Sequence, residues 1–172
     1  MTKFLLVLHV LVAIVAVGPV TVAASMFPPS ARRALADPDN PRATETVRLL
    51  HRICRVYAAL GIAVPVLGMA TALSMGVLND TWLIVSMVLT GIAAAVLLAL
   101  VLPRQEEIIE AVEAGTAKAP EAPAAAGTPE SATVAVNPRV TVQLAMFTGI
   151  FNLLWATVTI LMIVRPGSTT GA

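Results

Sequence analysis

The amino-acid sequence predicts an all-α integral membrane bundle of four transmembrane helices, with both termini outside and loops one and three in the cytoplasm. Three observations carry that expectation. Of 172 residues, 58% are hydrophobic and 12% charged, against roughly half and a quarter in soluble domains. Four unbroken apolar runs, 4–26, 53–78, 81–102 and 140–164, each reach the roughly 20 helical residues that cross a hydrocarbon core, and none shows the short alternation of a membrane β-barrel. Of the 11 Lys and Arg residues, Arg32, Arg33, Arg42, Arg48, Arg52, Arg55, Arg104, Lys118 and Arg139 fall in or beside loops one and three, leaving Lys3 and Arg165 for the opposite side. Basic residues at helix ends mark the cytoplasmic face.

The first span opens after Met1-Thr2-Lys3 and holds Gly18-Pro19 and Val22-Ala23-Ala24, the order of a cleavable signal peptide. Cleavage would leave three helices and place the arginines of loop one outside, so the charge bias favours a retained first helix. His9, Ala13, Ala16, Val20 and Ala23 share one face of it, the small-residue pattern that lets helices approach in lipid. Pro19, and Pro65 in the second span, each remove a backbone hydrogen bond and are expected to bend their helices.

Residues 27–40, FPPSARRALADPDN, read as a proline-punctuated cytoplasmic loop. It ends in NPRAT at 40–44, and NPRVT recurs at 137–141. Asn accepts a hydrogen bond from a free backbone N–H at a helix start, and Pro at the next position lacks only an N–H that would be unpaired there. Both pentapeptides therefore read as capped helix starts with an arginine placed for anionic headgroups. An internal two-helix repeat is the alternative, and the flanking sequences do not align in its support.

The second helix is expected over about 41–78, with Gly61, Pro65, Gly68 and Ala72 on one face, and the third over about 81–114 after a turn at Asn79-Asp80. Residues 115–137, rich in Ala, Pro, Thr and Glu without hydrophobic periodicity, read as a disordered cytoplasmic linker. The fourth helix, about 138–164, places Thr141, Ala145, Thr148, Asn152, Ala156 and Thr159 on its packing face, and Phe147, Phe151, Leu154 and Trp155 toward lipid or a second contact. The whole chain is one membrane domain. Cys54, the single cysteine, excludes an internal disulfide and a Cys-x-x-Cys pair.

Two sets of residues carry functional expectations. Arg48, Arg52 and Arg55 form one stripe and Glu106, Glu110 and Glu113 another, on helical stubs that run antiparallel beyond the membrane and can face each other. His9 is an ionisable group inside a span, a functional candidate by default. Counted at about 1.5 Å per residue, Ser74, Ser86, Thr159, Met75 and Met87 fall near its depth. His9 with Met75 and Met87 would make a soft, mixed site for Cu(I), although methionine also fills irregular gaps and a neutral histidine also bonds to hydroxyls. His51 lies roughly 20 Å or more away at the other membrane face, too far to share a haem iron with His9.

KFLLVLHVLVAIVAVG, residues 3–18, and HRICRVYAALGIAVPVLGMATAL, residues 51–73, resemble the first two helices of an uncharacterised family of small bacterial four-helix integral membrane proteins. That resemblance implies a multi-pass protein of the bacterial cell membrane. More distantly, the Leu8-His9 pair is similar to the start of copper-resistance D-type proteins and membrane protoporphyrinogen oxidases, which implies haem as the group His9 would bind. The first helix departs from those proteins in having no Trp ahead of Gly18 and no Arg within it.

The spans contain no Asp or Glu for a proton relay, and the chain has no phosphate-binding glycine loop. These absences favour a non-enzymatic accessory or scaffold protein with membrane lipids, a membrane protein partner or a second copy as partners. A haem- or copper-binding protein is the second expectation and a channel or transporter the third. Nucleic acid is not expected, because the loop arginines alternate with Asp and Glu beside the membrane.

Overall fold

A computed structural model describes residues 2–117 and 138–167. All regular structure among the described residues is helical: α1 (Thr2–Ala36), α2 (Pro41–Gly61), α3 (Ala63–Met75), α4 (Thr81–Val96), a π-helical turn (Leu97–Val101), α5 (Leu102–Ala117) and α6 (Pro138–Val164). They line up as four rods long and apolar enough to cross a membrane, at Thr2–Ala36, Pro41–Met75, Thr81–Gly115 and Arg139–Val164. The expected linker is helical over its first residues, as far as Ala117, and the rest of it, Asn137 included, lies outside the described residues.

Asn40 caps α2 as its residue type requires. Its backbone is extended (φ −94°, ψ 96°), its side chain accepts from Ala43 N–H, and Pro41 follows at the first helical position. The expected loop over 27–40 is corrected, since α1 continues through Pro28 and Pro29 to Ala36. Each proline removes one donor, and the turn persists because Phe27, Ala31 and Ala34 are buried in the main core with Val47, Leu50, Ile108 and Val112. Packing outweighs the local cost of the prolines. The second span breaks between α2 and α3 at Ile62, whose N–H turns back to Ala59 O at 3.2 Å. Pro65 causes this, because Gly61 O has no N–H four residues on. Ahead of Pro103 the third rod widens instead: Leu102 N–H bonds Leu97 O, a five-residue step. The wide turn relieves the clash between a proline ring and the preceding turn.

α1 lies centrally, packed along α2 and α3 on one side and α6 on another, while α6 packs on α4 and α5 returns to α2. Along α1 most buried residues are small, Ala16, Val20, Ala23, Ala24, Ala31 and Ala34 beside His9, Phe27 and Pro28, which permits the close approach that drives helix association in lipid. The face expected for the second span is partly borne out: Ala72 is buried, Gly61 and Gly68 are half-buried and Pro65 is exposed. The face expected for the fourth span is overturned in half its members. Thr141 and Thr148 are buried, but Leu144, Phe151 and Val158 share their face, and Ala145, Ala156 and Thr159 are exposed. Phe151 meets Trp155 edge to face at 6.4 Å. Leu144 and Phe151 are sealed in the main core with Ala93 and Leu97, so volume as well as polarity selects the inward stripe.

Three of the rods have 35 residues, about 52 Å against a hydrocarbon core of about 30 Å. The surplus is packed. Beyond the apolar runs, the end of α1, the start of α2 and α5 form a three-helix stalk at the Asn40 end of the bundle, with Ile108 and Val112 in its core.

Candidate functional site

At the root of the stalk three polar side chains are sealed among apolar ones. Gln105 and Cys54 are fully buried, and His51 nearly so. His51 Nδ1 lies 3.0 Å from Gln105 Oε1, and Gln105 Nε2 lies 3.6 Å from Cys54 Sγ. A carbonyl oxygen only accepts, so His51 Nδ1 donates and Gln105 turns its amide N–H to the sulfur. His51 Nε2 stands 3.6 Å from Glu106 Oε1, an ion pair when the ring is protonated. Both ring nitrogens are thus directed at α5, neither at the thiol. The group pins α2 to α5 and forms no Cys–His nucleophile pair.

Of the two charge stripes, the structure joins Arg48 to Glu113 at 2.9 Å. Arg52 and Arg55 form no ion pair with Glu110 within 4.0 Å among the described residues, and Glu106 meets His51 instead. The Arg48–Glu113 pair is about half exposed on each side, which limits it to about 0.2–1 kcal/mol. A double-mutant cycle through Arg48→Glu and Glu113→Arg is expected to return a coupling of that size, and the same cycle on Arg52 and Glu110 none. Equal coupling at both positions would mean a diffuse field rather than a specific contact.

His9 is buried on α1, and its Nδ1 lies 3.1 Å from Val64 O. A Cβ on Gly68 would stand 3.0 Å from His9 Cε1, so the bare glycine is what lets the ring lie against α3. Gly68→Val is expected to displace the ring and destabilise the bundle by about 1–3 kcal/mol. A thermal midpoint unchanged in Gly68→Val would show the contact to be loose.

The polar layer expected at the depth of His9 is not assembled. Ser74 donates to Thr71 O, Ser86 to Trp82 O and Thr159 to Trp155 O, each hydroxyl satisfied on its own helix. Met75 packs in a second cluster with Ala72, Val77, Trp82 and Leu83, and Met87 is exposed. Gly68, which touches His9, and Met75 are two helical turns apart, about 10 Å along the helix. Among the described residues no three His, Cys, Asp or Glu side chains gather into a metal site either.

Sequence reasoning missed Gln105 altogether. One signal was available: Gln105 lies four residues after Val101 and eight after Leu97, so it continues an apolar stripe of the third rod. Comparison with protein-family models, curated proteins and solved structures finds no match to this chain.

Proposed function

We propose that this chain is a non-enzymatic, multi-pass protein of the bacterial cell membrane, an accessory or scaffold subunit whose cytoplasmic stalk is the surface it offers to a protein partner. The observation that carries the reading is the packed stalk itself. Three rods continue well past the length a bilayer needs, and the main apolar core runs on into the extension, as far as Ile108 and Val112, past a buried polar lock. The faces left open are charged: Arg52, Arg55, Glu107 and Glu110 are exposed. With positive loops on the cytoplasmic side, the stalk stands in the cytoplasm beside the anionic headgroups.

The test is purification of the intact protein in mild detergent after cross-linking in membranes. One stoichiometric partner is expected with the wild-type chain, lost in the double variant Arg52→Glu, Arg55→Glu while the thermal midpoint holds. A partner retained undiminished by that variant would place the contact elsewhere, and its absence from wild type would remove the reading.

A second reading, a haem- or copper-binding protein, rests on His9 alone. Donation from Nδ1 to a backbone carbonyl fixes the tautomer and leaves Nε2 as the metal-binding nitrogen, the arrangement in which ligating histidines are usually held. An absorption band that shifts on reduction, or copper that co-purifies, and either one lost in His9→Ala, would favour this reading over the scaffold.

A further inference from the structure

A cleft of about 280 Å³ opens between α1 and α6, lined by Ser25, Arg32, Thr148, Gly149 and Asn152 with Pro28 and Pro29 at its wall. Its polar groups are set by a short chain of hydrogen bonds. The Ser25 hydroxyl gives its single proton to Thr21 O at 2.7 Å, so toward Asn152 it only accepts, from Nδ2 at 3.1 Å. Among the described residues Asn152 Oδ1 is thereby left without a donor, and the buried Thr148 hydroxyl has no partner either. At the other end Arg32 uses Nε on Thr141 Oγ1 at 3.3 Å, while its two terminal nitrogens bond to no described residue. The cleft therefore asks for an anion at Arg32 and a hydroxyl at Thr148 and Asn152, because unpaired buried polar groups cost free energy that a matching ligand recovers.

Resting on the reading that the chain spans a membrane, we propose that this cleft binds the headgroup of an anionic phospholipid that carries a free hydroxyl. The phosphate sits on Arg32 and the hydroxyl reaches Thr148 and Asn152. Three features select a lipid over a soluble molecule. The volume is below the roughly 300–1,000 Å³ of pockets that engulf a whole small molecule, so it holds a headgroup and leaves the remainder outside. Beyond Ser25 and Asn152 the flanking stripes, Gly18, Val22 and Ala156, are exposed and apolar, so the cleft opens on the lipid-facing side of the bundle, where a lipid has access and a soluble molecule does not. Arg32 stands at the basic, headgroup-level end of both helices, where an arginine attracts anionic lipid.

Native mass spectrometry of the full-length protein in mild detergent tests this with phosphatidylglycerol, phosphatidic acid, phosphatidylcholine and inorganic phosphate as probes. Phosphatidylglycerol is expected to bind about tenfold tighter than phosphatidylcholine. Arg32→Gln should abolish that preference, while Arg33→Gln, exposed and outside the cleft, should keep it. Thr148→Val should weaken phosphatidylglycerol and leave phosphatidic acid unchanged. Gly149→Leu is the blocking variant: a Cβ there meets nothing within 4 Å, so the side chain fills the cleft without disturbing the bundle, and bound lipid should fall to the phosphatidylcholine level. Equal binding of the phospholipids, or full binding by Gly149→Leu, would overturn the proposal. Displacement of phosphatidylglycerol by millimolar phosphate would overturn it in favour of a free-phosphate site.

Discussion

Phe27→Ala is expected to destabilise the bundle by about 3–5 kcal/mol, the range for removing a fully buried aromatic side chain. Phe27 has no exposed surface and, with Phe151, is the largest side chain sealed in the core. It sits one residue before Pro28, where α1 has lost a backbone donor and is held helical by what it packs against. Removing the ring therefore opens a cavity and also releases the turn that depends on it. The measurement is the thermal midpoint in mild detergent, with Met26→Ala as the comparison. Met26 is about half exposed, and its truncation should cost less than about 0.5 kcal/mol. Similar losses at both positions would contradict the placement of α1.

Gln105→Leu should cost about 1–3 kcal/mol, the penalty for leaving a buried donor unpaired. The substitution strips the acceptor from His51 Nδ1–H and the amide donor from Cys54 Sγ in one step. A second change, His51→Leu, removes the orphaned group and should recover most of the loss, because deleting both partners of a buried bond is far cheaper than deleting one. If the double variant is as unstable as the sum of the singles, the two residues do not act through each other.

The four rods were legible in the sequence because lipid imposes a simple rule: about 20 apolar residues without a break. Asn40 and Pro41 were legible for an equally local reason, since a cap is built from neighbours in sequence. Two kinds of feature were not. The helix through Pro28-Pro29 reads as a loop until Phe27, Ala31 and Ala34 are seen against α2 and α5, a tertiary effect that overrides local preference. His51, Cys54 and Gln105 are brought together across more than 50 residues, and no periodicity marks which buried polar groups will meet. The expected His9 layer failed on the same ground: equal depth placed residues at one level without saying which sides of their helices faced. The charge stripes were half legible, because Arg48 and Glu113 lie at the outer edge where the stubs touch, and Arg52 and Arg55 point away.

The π-helical turn at Leu97–Val101 leaves one residue surplus to the helix that contains it. Buried positions on the third rod run Ala93, Leu97, Val101, Gln105, three successive steps of four, which in a regular α-helix would drift by about 120° around the axis. The wide turn absorbs that drift and keeps Gln105 opposite His51. A chain lacking Ala99 should therefore lose the wide turn and keep both flanking faces in phase, since the remaining steps become an alternation of fours and threes. Deletion of Glu107, by contrast, would swing Ile108 and Val112 out of the stalk core by about 100°. Tolerance of a shortened rod, ordinarily destructive in a packed helix, is thus built into the wide turn at Leu97–Val101 and not into α5.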